Sequence, residues 1–206
     1  MLTESGSPAR PNSRSAQKAR TRQALLDAAV GVIRDEGLGS ATARAISDRA
    51  GVAVGTFFVH FPEVAALMDE LLDQQLQRSL ERALRTLPDD APLVDALVDV
   101  ADSLFAGYAK EAELARAFLT ATIFRADVSG PSHARLAEFR SWALDRMVRA
   151  RTAGELSPAV DLDATFEAFF CLYFGLVVGG LRGELTRRRQ SAVLRSTLAA
   201  MLGGAR

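Results

Sequence analysis

One cysteine, Cys171, in 206 residues leaves no partner for an intramolecular disulfide, so packing must hold the fold and a reducing cytoplasm is the expected compartment. Net charge is also missing: 25 Lys and Arg face 25 Asp and Glu, an average that offers phosphate no attraction. The longest uncharged apolar run, Ala168 to Leu181, has the length of a buried helix and falls short of a bilayer's thickness, so no membrane partner is expected. The first two dozen residues are Ser, Pro, Ala and Arg without an apolar stretch, which argues against a signal peptide. Alternation of period two is absent, and with it any case for a sheet. Neither G-x-S-x-G, a phosphate loop, paired cysteines nor H-E-x-x-H occurs, so the expectation is no catalytic residue, no metal, no cofactor and no enzyme.

What the chain has in quantity is helical periodicity, with 49% hydrophobic residues to bury. The fold class is all-α with about nine helices. Residues 1–17 have the composition of a disordered basic tail. Residues 18–62 hold three short helices. In the first, Ala24, Leu25, Ala28, Ala29, Val32 and Ile33 recur at three- and four-residue intervals until Gly37 and Gly39. Thr42 can cap the second, "ARAISDRA", and Gly51 turns the chain into the third, "VGTFFVHF". Residues 63–206 form longer helices: about Glu63–Leu87, one capped by Asp90 and Pro92 and running to Tyr108, and others near 111–127, 133–153 with Ser132 as cap, 162–182 and 190–202. The run "TRRRQ", 186–190, reads as a solvated turn. Cys171, among Phe and Leu, reads as a buried inert thiol.

The zero net charge hides a gradient. Residues 1–62 carry eight basic side chains against five acidic ones, a surplus of three at the end where the short helices lie. Two helices joined by a tight glycine turn suit a helix-turn-helix, in which the second helix enters the major groove. Ile46, Ala50, Val52, Phe57 and Phe61 share inward spacing and would form its small core. Thr42, Arg44, Val54, Gly55, Thr56 and His60 are left outward; Gly55 permits close approach to phosphate, and Thr56 and His60 can donate to it. A catalytic role for His60 lacks a nucleophile on a shaped turn. His133, after "SGPS", reads as an exposed first-turn residue.

At this point "TARAISDRAGVAVGTFFVHF", with "RQALLDAAVGVIRDEG" before it, resembles the N-terminal signature of the tetracycline-repressor (TetR) family of bacterial transcription regulators. Gly51, Gly55, Thr56, His60 and Phe61 stand at the family's mutual spacing, and the likeness covers about residues 20–67. The resemblance implies a DNA-facing set of Lys18, Arg20, Arg22, Thr42, Ala43, Arg44, Ala53, Val54, Gly55, Thr56, Phe58 and His60. Ala53 replaces the family's frequent Ser, Phe58 its usual Tyr, and Val64-Ala65 its common Lys-Glu, each removing a polar contact to phosphate. Lys18, Arg20 and Arg22 could compensate as an arm in the adjacent minor groove.

A head that reads a palindrome wants a two-fold partner. Phe166, Phe170, Phe174, Val177, Val178 and Leu181, with Leu194, Leu198 and Met201 on the last helix, are the expected homodimer surface, and Gly175 with Gly179 would admit a neighbouring helix. An effector pocket, as the resemblance implies, would draw on Phe105, Tyr108, Phe118, Phe124, Trp142, Phe169 and Tyr173, suiting an apolar or aromatic small molecule. The expected function is a ligand-responsive regulator, a repressor by preference, that binds a palindromic double-stranded operator as a homodimer. The fourth helix would swing as a pendulum when the effector enters. The alternative is a helical small-molecule-binding or enzymatic protein with a non-functional helix-turn-helix.

Overall fold

The computed structural model describes residues 13–122 and 130–203; the effector candidate Phe124 lies outside them. Among the described residues there are nine α-helices, a 3₁₀ turn at Leu38–Ser40 and no strand. The chain divides into two compact units, residues 1–64 and 65–206.

The first unit holds α1 (Ser13–Glu36), α2 (Ala43–Ala50) and α3 (Val54–His60). Helix α1 starts five residues before the expected Lys18, so residues 13–17, assigned above to the tail, are helical. The reason is local: Ala16, Gln17 and Lys18 are good helix formers, and Gln17 accepts from both Arg20 (2.8 Å) and, through its carbonyl, Thr21 (3.1 Å). The inner face of α1 buries Leu25, Leu26, Ala29, Val32 and Ile33, and α2 packs against it. Ile46, Phe57 and Phe61 complete this core, each almost wholly removed from water.

The second unit holds α4 (Val64–Thr86, from the end of the first unit), α5 (Leu93–Lys110), α6 (Ala112–Thr122), α7 (Pro131–Thr152), α8 (Leu162–Leu181) and α9 (Arg187–Gly203). Helix α5 is the hub, with α6, α7, α8 and α9 against it. Its buried stripe Leu93, Leu97, Val100, Ala101, Leu104 and Phe105 explains the choice: each large apolar side chain contributes about 1.5–3 kcal/mol on burial. Two polar latches fix neighbours in register. Buried Asp69 on α4 accepts from the Ser132 hydroxyl and backbone N–H at the start of α7. Buried Arg146 on α7 donates to the carbonyls of Asp89 (2.6 Å) and Ala91 (2.7 Å) in the α4–α5 loop.

Three further helix starts differ from the sequence reading. Pro92 is the N-cap of α5 and makes no side-chain cap bond, so Asp90 is not its cap. Gly130 precedes α7, and Ser132 lies inside it because its hydroxyl is drawn to Asp69. The arginines of "TRRRQ" form the first turn of α9, where Thr186 accepts from the Arg189 N–H, rather than a loose turn. Helix α8 runs 20 residues and is, among the described residues, the one helix long and apolar enough by length and composition to cross a membrane; the shorter run visible in sequence understated it.

Candidate functional site

Helix α2 begins under a Thr42 cap whose hydroxyl oxygen accepts from the Ala45 N–H at 3.1 Å. It ends at Gly51, in the left-handed region (φ 69°, ψ 33°), with the Gly51 and Val52 N–H groups bonded to Asp48 and Ser47 carbonyls. Any L side chain there would cost about 1–2 kcal/mol, so glycine is what lets α3 follow α2 after a three-residue turn. Phe57 then anchors α3, its ring 5.3 Å from Phe58 and 5.8 Å from Phe61. With Phe57 inward, the opposite face of α3 stands in solvent: Phe58 is 54% and Val59 71% exposed.

Of the DNA-facing candidates, Thr42, Arg44, Ala53, Gly55 and Phe58 are exposed, and Ala43, Val54, Thr56 and His60 are half-buried. Gly55 has nothing within 4 Å of where a Cβ would stand and no positive φ, so no internal contact demands glycine there. Arg44 has only a loose 3.8 Å ion pair with Asp48, both largely exposed, and such pairs are worth at most about 1 kcal/mol. Lys18 and Arg20 are exposed, but on a helix rather than an extended arm. A helix about 10–12 Å across cannot enter a minor groove about 6 Å wide, which removes the arm reading for these residues.

Arg22 is corrected further. Its guanidinium donates to the His60 carbonyl at 2.6 Å and lies 4.1 Å from the centre of the Phe61 ring. It therefore ties α1 to the end of α3. The Lys18 and Arg22 charges, after the larger effect of desolvation, lower the His60 pKa below its ordinary value near 6.5, and its Nδ1 is buried without a partner in the protein. Neutral His60 thus stabilises the fold above pH 6.5, and that stability is lost as pH falls from there through the lowered folded-state value. An NMR titration of the free protein is expected to place the His60 midpoint below that of an unfolded histidine; a midpoint at or above 6.5 would contradict this geometry.

Sequence reasoning named Phe58 but passed over Val59, the more exposed of the two. The signal was available in its spacing from Gly55, one helical turn away on the face opposite Phe57.

Residues 25–71 match the profile of the bacterial regulatory proteins of the tetR family. The chain carries the tetR-family DNA-binding domain. Solved structures extend the fold likeness to nearly the whole chain. FadR from Thermus thermophilus, a TetR-family repressor in complex with lauroyl-CoA, is 23% identical with a TM-score of 0.70, over 89% of this chain and 94% of that one. The transcriptional regulator FadR from Bacillus subtilis, in complex with stearoyl-CoA, is 19% identical with a TM-score of 0.68, over 89% and 99%. A TetR transcriptional regulator from Rhodococcus sp. RHA1 is 22% identical with a TM-score of 0.67, over 88% and 97%. Comparison with curated protein sequences gives no match. The family and these neighbours are transcription factors rather than enzymes.

In the second unit the effector candidates separate. Phe105 and Tyr108 line a cavity of about 100 Å³ together with Val177, Leu181, Arg187 and Gln190. Phe169 and Tyr173 are buried core, Tyr173 stacked 5.4 Å from Phe105 and Phe169 6.3 Å from Tyr173. Phe118 is buried too. Trp142, half-buried, lines a second cavity with Leu80, Leu84 and Phe139. Burial pushes the Tyr108 phenol up to about 12 and holds Tyr173 well above its ordinary value near 10, and the two hydroxyls interact with each other. The Gln75 side-chain nitrogen is buried without a partner.

The dimer candidates also divide. Phe166, Val177, Leu194 and Leu198 are buried within their own chain, because α8 and α9 pack on each other and on α5. Gly179 faces Leu185 of the same chain, so it admits no second molecule. Phe170, Phe174, Val178 and Leu181 are half-buried and Met201 is exposed. Cys171 is exposed, contrary to the buried thiol expected from its neighbours. It lies on a stripe with Ala164, Ala168 and Gly175 that looks outward, and a Cβ on Gly175 would meet nothing within 4 Å. Exposed His133 is as expected.

Proposed function

We propose that this chain is a cytoplasmic, homodimeric repressor that binds a palindromic operator and releases it when a small apolar or aromatic molecule enters the second unit. The observation that carries the reading is the Gly51 turn, which anchors α3 by Phe57 and leaves Gly55, Phe58 and Val59 outward. A helix presented this way matches the part of a helix-turn-helix that lies in the major groove. Glycine at position 55 weakens a helix by about 1 kcal/mol relative to alanine, and close approach of DNA would account for it. In this reading Thr42, Arg44, Thr56 and His60 hold phosphates around it.

One feature supports an effector site near Phe105, Tyr108 and Tyr173. The buried Gln75 side-chain nitrogen without a partner costs about 1–3 kcal/mol, which a ligand carrying an acceptor would restore. The Phe105–Tyr108 cavity, at about 100 Å³, is below the roughly 300–1,000 Å³ of small-molecule sites. The effector therefore selects a conformer in which the Phe105–Tyr173 stack has opened. A hundredfold release of operator requires about 2.7 kcal/mol of difference between the two conformers. Since two fold neighbours were solved with lauroyl-CoA and stearoyl-CoA, those compounds are the first probes.

Fluorescence anisotropy with the DNA flanking its own coding region tests the proposal. Sequence-specific binding that falls steeply with salt is expected, reversed by an effector. Weak binding indifferent to sequence would favour a helical ligand-binding protein whose head no longer reads DNA.

A further inference from the structure

The outward ridge of α3 runs Gly55, Phe58 and Val59 at helical spacing, all three exposed, and none of these side chains can donate or accept a hydrogen bond. The helix carries no Arg, Lys, Asn, Gln, Asp or Glu, and its polar side chains, Thr56 and His60, sit half-buried on the flank. Base pairs are told apart in the major groove by hydrogen-bonding edges and by one apolar group, the C5-methyl of thymine. A ridge without polar side chains can use only the second.

From this ridge we infer that Phe58 and Val59 read the operator through thymine methyl groups, making them specificity-determining residues. The inference rests on the regulator reading above. Solvent exposure of 54% and 71% on two large apolar residues has no internal cause, since Phe57 and Phe61 already fill the core. Exposed Arg44 on α2 and exposed Lys18, whose charge reaches His60 at the end of α3, complement a phosphate backbone, which commits the occupant to DNA rather than to an apolar protein surface. Arg44 and Thr42 on α2 fix the register; the donor-free ridge then discriminates thymine from cytosine and purine by contact with the methyl. Operator half-sites should accordingly be rich in A·T pairs whose methyls lie in the groove that receives α3.

The purified full-length protein is used to select binding sequences from a random duplex library. Each thymine of the selected site is then replaced by uracil, which keeps every hydrogen-bonding edge and loses only the methyl. Affinity is expected to fall about fourfold for each contacted methyl, the equivalent of one buried methylene group. Phe58→Ala and Val59→Ala, both at exposed positions that leave the core intact, should each erase the thymine–uracil difference at their own positions. Specific binding that uracil does not weaken overturns the inference and leaves the regulator reading standing, as does a uracil effect that persists unchanged in both variants. A selection that enriches no sequence overturns both.

Discussion

Phe57→Ala is expected to unfold the first unit and abolish operator binding while the second unit keeps its helices. Phe57 is wholly buried, and its ring contacts both Phe58 and Phe61. Truncating such a phenylalanine removes about 3–5 kcal/mol through lost burial and the cavity left behind. At roughly 0.05–0.15 kcal/mol per residue, a unit of 64 residues has a total stability of the same order. Phe58→Ala is the control. One position along the helix and 54% exposed, it should alter stability by no more than about 0.5 kcal/mol. Thermal unfolding by circular dichroism and proteolysis within residues 13–61 read the contrast. Equal stability of the two variants would show that α3 is not anchored as described.

Gly175→Arg is expected to convert the proposed dimer into a folded monomer. A Cβ at Gly175 meets nothing within 4 Å, so the protomer accommodates the longer side chain, and its helix gains up to about 1 kcal/mol from replacing glycine. In a two-fold interface the new charge appears twice on opposed faces lined by Ala168, Cys171 and Val178, where it has no partner. Sedimentation should show monomers melting no lower than the parent protein. Operator affinity should drop by about 10²–10⁴ because two linked heads become one. Persistence of the dimer would place the interface elsewhere.

Both predictions turn on the difference between an apolar residue that fills its own core and one left for a partner, and here sequence and structure contributed unequally. In the first unit Ile46, Phe57 and Phe61 of the expected inward set were legible because three short helices offer few ways to bury so few large residues, whereas Ala50 and Val52 are only half-buried. Arg22 was misjudged, since no local pattern shows that a guanidinium will find a carbonyl 38 positions away and an aromatic face beside it. In the second unit the apolar residues of α8 are nearly continuous around the helix, which erases the periodicity that separates inner from outer. Phe166 and Val177 thus passed for interface although they are core, and Cys171 for core although it is exposed.

Local chemistry alone determined that this chain is helical, that Gly51 turns α2 into α3, and that a small basic head precedes a larger apolar body. These properties follow from residue spacing, capping and backbone permission within a few positions of the chain. Tertiary structure alone decided which side of α8 meets water, that the Phe105–Tyr173 stack leaves only a small cavity beside it, and that Asp69 and Arg146 latch distant segments. Those outcomes depend on which of several equally apolar faces reaches α5, a competition among surfaces far apart in sequence.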